Sequence, residues 1–299
     1  MQNLWWLVSI FASFVFAMYI FANQIFKLKG SLMMIYRGIG AALVLLPFCF
    51  FINGIDNNLF YGLCVIQGIL IAYLDNRLFN AASRFGAEIT SVIQPLSVLL
   101  GFVMWFIIVP TQFFNLAANP LKLVLVVGAM LGIVTSVILF RKNRLSRLAF
   151  LYLLPAMLTV TVLDLLGKIL MNIGSDNILG AIFYYSLITS AVAGAINMVA
   201  FLKQGHDFKE VVAPRNLFLA GIPMIMLIMG MYVFKNYSLY LSENPAYVMA
   251  IIYSYPVWIF VANNIFSKYL KNKEYARPNK WVMISMVVSI LVLILTVQN

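Results

Sequence analysis

Apolar residues run through this chain in long blocks, and the segments that separate them are short and rich in Gly, Pro or Asn. A membrane-crossing helix needs roughly 20 consecutive, mostly apolar residues. Ten segments meet that requirement: 4–26, 32–52, 59–80, 87–109, 121–140, 148–171, 178–202, 217–240, 246–266 and 281–297. Lys29-Gly30, Asn53-Gly54, Ala118-Asn119-Pro120, Ile173-Gly174, Asn244-Pro245 and Arg277-Pro278 punctuate them, as residues that cannot continue a helix do. No stretch is long or polar enough for a soluble domain. The pattern predicts an all-α polytopic membrane protein with ten transmembrane helices.

The two halves of the pattern repeat each other. Ser83-Arg84-Phe85-Gly86-Ala87 followed by Pro95 matches Ser242-Glu243-Asn244-Pro245-Ala246 followed by Pro256. Upstream, Tyr73-Leu74-Asp75-Asn76-Arg77 matches Tyr232-Val233-Phe234-Lys235-Asn236. The units are residues 1–143 and 144–299, with 141–147 as the hinge. Five spans per unit is an odd number, so the second unit starts from the opposite face. The repeats are therefore expected to be inverted, related by a pseudo-two-fold axis in the membrane plane.

Composition agrees: 64% of residues are hydrophobic and 10% charged, against about 25% charged in soluble domains. A net charge of +11 would suggest nucleic acid in a soluble protein, but here the bases sit in loops, which excludes that partner. Fifteen of the twenty Lys and Arg follow odd-numbered spans. The positive-inside rule then places those loops in the cytoplasm and both termini outside a plasma (inner) membrane. Cys49 and Cys64 lie near facing ends of consecutive spans and are read as reduced thiols. His206 is the single histidine, and no Cys/His spacing suits a metal or cofactor. Met1-Gln2-Asn3 lacks the basic start of a signal peptide, so the first apolar run is read as a retained helix.

Ionisable residues within spans cost roughly 2.5–3.5 kcal/mol each and need a partner or a purpose. They are Arg37, Asp75, Arg77, Asp164, Lys168 and Lys235, with Glu88 and Glu243 near span ends. Asp164 and Lys168 share a helix face at i, i+4, either as a register-fixing pair or as part of a cavity lining. Four bases against two acids favour the lining. Asp75 and Arg77, two residues apart, point in different directions and each require a partner on another helix. Arg37, Arg77 and Lys235 stand near span ends, where they can snorkel to the interface. Pro95 and Pro256 free backbone carbonyls and kink their helices at corresponding places, as gates would. Gln94, Tyr255 and Trp258 beside them are candidate solute contacts, with Tyr232 at the head of the second repeat segment. Trp5, Trp6 and Trp281 read as interface anchors, and the methionines of 224–231 as packing filler. An intramembrane enzyme would need closely spaced acids or an embedded histidine; neither is present, so no enzyme is expected. A channel would need a repeated pore loop, and none is found.

Tyr36-Arg37 early in the second span, Gly86-Ala87-Glu88 leading to Gln94-Pro95, Gly128 and Gly132 in the fifth span, and Pro256 in the ninth resemble the drug/metabolite transporter superfamily, in its ten-helix EamA-like branch. The Trp-Gly pair usual in its first helix is missing, as is the acid usual at the end of its fourth. The loop charges also imply the opposite orientation from typical members. The resemblance implies a carrier with a central site between the halves, lined by spans 1, 3, 4, 6, 8 and 9. It would move a small polar solute, anionic or zwitterionic, by alternating access, as a monomer or loose homodimer among membrane lipids, with Asp164 a candidate for proton coupling. The alternative on the same fold is a flippase for a lipid-linked or amphipathic substrate.

Overall fold

The computed structural model describes residues 4–26, 29–85, 93–139, 147–265 and 280–298. Among them, nine helices are long and apolar enough to cross a membrane, and ten if one bent pair counts as a single span. The chain is a multi-pass helical membrane protein. We number the helices α1 (Trp5–Phe26), α2 (Gly30–Phe50), α3 (Asn58–Phe85), α4 (Ile93–Ile108), α5 (Pro120–Leu139), α6 (Arg147–Ile173), α7 (Ile178–Lys203), α8 (Ile222–Leu241), α9 (two pieces, Pro245–Ile252 and Pro256–Ile265) and α10 (Lys280–Gln298).

Asparagines cap two helix starts, one of them the anticipated Asn244. Asn177 accepts from the Gly180 N–H at the start of α7, and Asn244 accepts from the Ala246 N–H at the start of α9. Each satisfies one of the orphan donors of a first turn. Gly86, Ala87, Glu88, residues 141–146 of the hinge and the bases of 268–277 lie outside the described residues.

Several spans depart from simple helices among the described residues. After α4 the chain bends by 104° into a short helix, Pro110–Ala117. The residue before a proline is pushed out of the helical region, and Val109 sits at φ −128, ψ 75. Trp105 Nε1 donates to Gln112 Oε1 at 2.8 Å, and Gln112 Nε2 donates to the Glu243 carbonyl at 3.2 Å, which docks the turned helix on the α8–α9 connection. Helix α2 contains a π-turn over Tyr36–Gly40 and ends in a 3₁₀ stretch, Leu46–Phe50. Helix α9 is broken outright rather than kinked: Tyr253, Ser254 and Tyr255 form a turn, and Pro256 opens the second piece.

In the packing, α1 lies on α8 and α9, α3 on α6 and α7, α4 on α6 and α9, α2 on α7 and α8, and α5 on α10. At the α2–α7 crossing Gly38 abuts Gly194, so a Cβ on either would collide with the other's backbone. Small residues serve membrane helices by letting backbones approach in this way. Of the two α5 glycines, Gly132 packs against Ser289 of α10, whereas Gly128 has no neighbour within 4 Å of a Cβ. Trp5 is buried against Tyr247, their ring centroids 6.2 Å apart, and is a core residue rather than an interface anchor. Trp281 is 75% exposed, as an anchor would be. Cys49 and Cys64 are both free thiols. Lys29 reaches Glu210 at 2.9 Å, tying the α1–α2 connection to the one between α7 and α8.

Candidate functional site

The π-turn of α2 carries Arg37, whose guanidinium donates to Asp75 of α3. The same carboxylate oxygen accepts from Asn197 Nδ2 of α7 at 3.1 Å, and Asn197 Oδ1 accepts from Asn76 Nδ2 at 3.1 Å. Three helices thus meet on one buried carboxylate. The snorkelling expected of Arg37 gives way to this pairing, because an unpaired carboxylate at Asp75 would cost several kcal/mol.

A second ion pair joins α6 and α8. Lys235 Nζ donates to Asp164 Oδ1 at 2.9 Å, and the Tyr253 hydroxyl, from the break in α9, donates to Oδ2 at 3.3 Å. Of the two readings of Asp164 and Lys168, the register-fixing pair is therefore not formed, and Lys235 does not snorkel. Lys168 Nζ instead donates to the Tyr240 carbonyl at 3.2 Å. Tyr240 stands in the last turn of α8, where carbonyls lack intrahelical partners and attract cations. Lys168→Met should lower stability by about 1.5–3 kcal/mol, the worth of a hydrogen bond to a charged group. Melting of the purified variant checks this, and Asp164 should keep its pair.

Arg77 does not snorkel either. Its Nη2 donates to the Tyr152 carbonyl of α6 at 3.0 Å, and its guanidinium lies 4.0 Å over the Tyr152 ring. Asp75 and Arg77 each have a partner on another helix, as their i, i+2 spacing required.

The two ion pairs occupy different depths. Helices α3 and α6 run antiparallel in a register set by two bonds, Gln67 Nε2 to the Leu163 carbonyl at 2.8 Å and Arg77 to the Tyr152 carbonyl. In that register Asp75 lies level with about residue 155 of α6, so at 1.5 Å per residue the pairs stand ~13 Å apart along the bundle. Beside Asp164 is a cavity of about 10 Å³ between α4, α6 and α9, lined by Ser97, Gly101, Thr161, Pro245 and Met249 among others. It has room for about one water.

The proline neighbourhood is only partly assembled. Tyr255 approaches Gln94 Oε1 at 3.5 Å and meets Phe16 of α1 edge-on, while Trp258 meets Phe14 of α1 at 5.5 Å. Pro95 is the third residue of α4, and what precedes residue 93 lies outside the described residues. Tyr232 packs against Tyr185 of α7, ring centroids 6.4 Å apart.

Counting only ionisable groups missed the neutral ones: Asn76, Asn197 and Tyr253, which complete the bonding around the two acids, and the buried amides Gln67 and Asn236. The signal was available, since a carboxamide or hydroxyl within an apolar run also needs a partner, at a smaller cost than a charge. In comparisons with known proteins, no protein-family model matches the chain and no curated protein matches it.

Proposed function

We propose that this chain is a secondary transporter that moves a small polar metabolite across the plasma membrane by alternating access. The observation that carries this reading is the pair of buried ion pairs at two depths, each bridging different helices, with α9 broken beside one of them. Ionisable groups inside a membrane bundle mark solute or ion pathways by default. Broken helices are tolerated there where they face a cavity or a site. Arg37 and Lys235 are each matched by an acid, whereas Arg77 and Lys168 rest on backbone carbonyls, so the solute class stays as the sequence suggested, anionic or zwitterionic.

An inverted duplication, as in the drug/metabolite transporter superfamily, is supported by how the helices pair. Exchanging helices with those five places on turns α1–α8 into α6–α3, α4–α6 into α9–α1, and α7–α3 into α2–α8, which are all in contact, whereas the α6–α8 contact has no comparable α1–α3 counterpart. We further propose that both termini face outside, on the loop charges.

Counterflow in proteoliposomes tests the carrier. Vesicles loaded with an unlabelled metabolite pool should take up labelled counterparts faster than empty vesicles do. Protein that moves only a lipid-linked substrate would transfer the reading to a flippase. Equal uptake with and without loading would sink alternating access.

A further inference from the structure

Between helices α3, α6, α7 and α8 lies a group of neutral polar side chains whose hydrogen-bonding capacity is not used up. Gln67 is 1% exposed. Both of its amide hydrogens are engaged, with the Leu163 carbonyl at 2.8 Å and the Tyr185 hydroxyl at 3.0 Å, yet its Oε1 has no partner. Asn236 of α8 is fully buried, and neither its Nδ2 nor its Oδ1 has one.

These two carboxamides stand at one level. Lys235 marks where α8 passes Asp164, so Asn236 is about level with Leu165, two residues along α6 from Leu163, the partner of Gln67. Asn236 also shares a helix face with Tyr232 and Leu239, four residues before and three after it. Tyr232 packs on Tyr185, the other partner of Gln67. Leu239 and Gln67 come within 3.2 Å and 3.8 Å of the same point, a Cβ position on Gly167. The remaining capacity is two carbonyl acceptors and an NH₂ donor, with no net charge. A protein interior retains an unpartnered amide at a free-energy cost, and a ligand that completes its hydrogen bonds would offset that cost.

We propose that Gln67 and Asn236 form the solute-reading contact of the carrier, taking a net-neutral solute through a carboxamide-like edge that offers a donor beside an acceptor. This rests on the transporter reading and names the chemistry of its solute. The edge donates N–H to the Asn236 oxygen and accepts from Asn236 Nδ2, and the second N–H of a primary carboxamide reaches the Gln67 oxygen. A carboxylate edge offers no donor to either oxygen and is rejected, since such unmatched polar groups discriminate strongly.

Thermal melting of the full-length protein in detergent tests it, with L-glutamine and uridine as probes and L-methionine and L-glutamate as comparators. At least one of the two probes should raise the melting temperature, and neither comparator should. Asn236→Leu should melt no lower than the parent without a probe, because it removes an unsatisfied amide, and should lose the probe-induced shift. Asn236→Gln should fold and keep part of it. A parent protein shifted by neither probe, or shifted equally by methionine, overturns the proposal. So does an Asn236→Leu protein that melts lower without a probe or keeps the full shift. Failure of the carrier reading would look different: glutamine or uridine would stabilise the protein, yet neither would exchange across proteoliposomes.

Discussion

Lys235→Met should destabilise the protein by about 3–5 kcal/mol and abolish uptake. The substitution strands the Asp164 carboxylate inside the bundle with only the Tyr253 hydroxyl, at 3.3 Å, for a partner. Breaking one side of a buried pair costs that much because the remaining charge has no compensation. Replacing both Asp164 and Lys235 with Leu removes the stranded charge, and stability should return to near the parent value. Transport should not return if the pair belongs to the solute or coupling pathway. Melting and proteoliposome uptake on the two single variants and the double variant give the answer. A stable double variant that transports normally would reduce the pair to a strut between α6 and α8.

A methyl group at Gly38 should have the next largest effect. The Cβ of Gly38→Ala would fall on the Gly194 backbone, where α2 crosses α7. Overpacking of this kind typically costs about 1–3 kcal/mol. The consequences extend to the first ion pair, because Arg37 adjoins Gly38 and Asn197 lies three residues beyond Gly194 on α7. Forcing the helices apart draws Asn197 away from Asp75, which it now meets at 3.1 Å. Gly128→Ala is the matched control, since nothing lies within 4 Å of that position. It should be tolerated, or gain up to about 1 kcal/mol from helix propensity. Equal melting of the Gly38 and Gly128 variants would remove the close crossing as a determinant of stability.

The spans were legible in the chain because helix formation in lipid is a local matter. Every backbone polar group must be satisfied within its own segment, so an apolar run of sufficient length is a helix wherever it occurs. The Asn and Pro turn residues mark ends for the same local reason. The sequence also required that Asp75 and Arg77 find partners on other helices, since i, i+2 neighbours diverge.

Which partners they find depends on how helices are rotated and slid against each other, and no local rule encodes that. Asp164 has Lys168 one turn away on its own helix, yet α8 presents Lys235 at 2.9 Å and a C-terminal carbonyl for Lys168. Arg37 could have reached the interface, but the π-turn in α2 and the Gly38–Gly194 crossing bring it onto Asp75. The break in α9 carries Tyr253 to Asp164, and the α3–α6 register sets Gln67 level with Asn236. The charges and amides are written in the sequence. Their pairing is decided by tertiary packing, because a buried polar group takes the nearest partner of matching geometry, and only the assembled bundle determines which one is nearest.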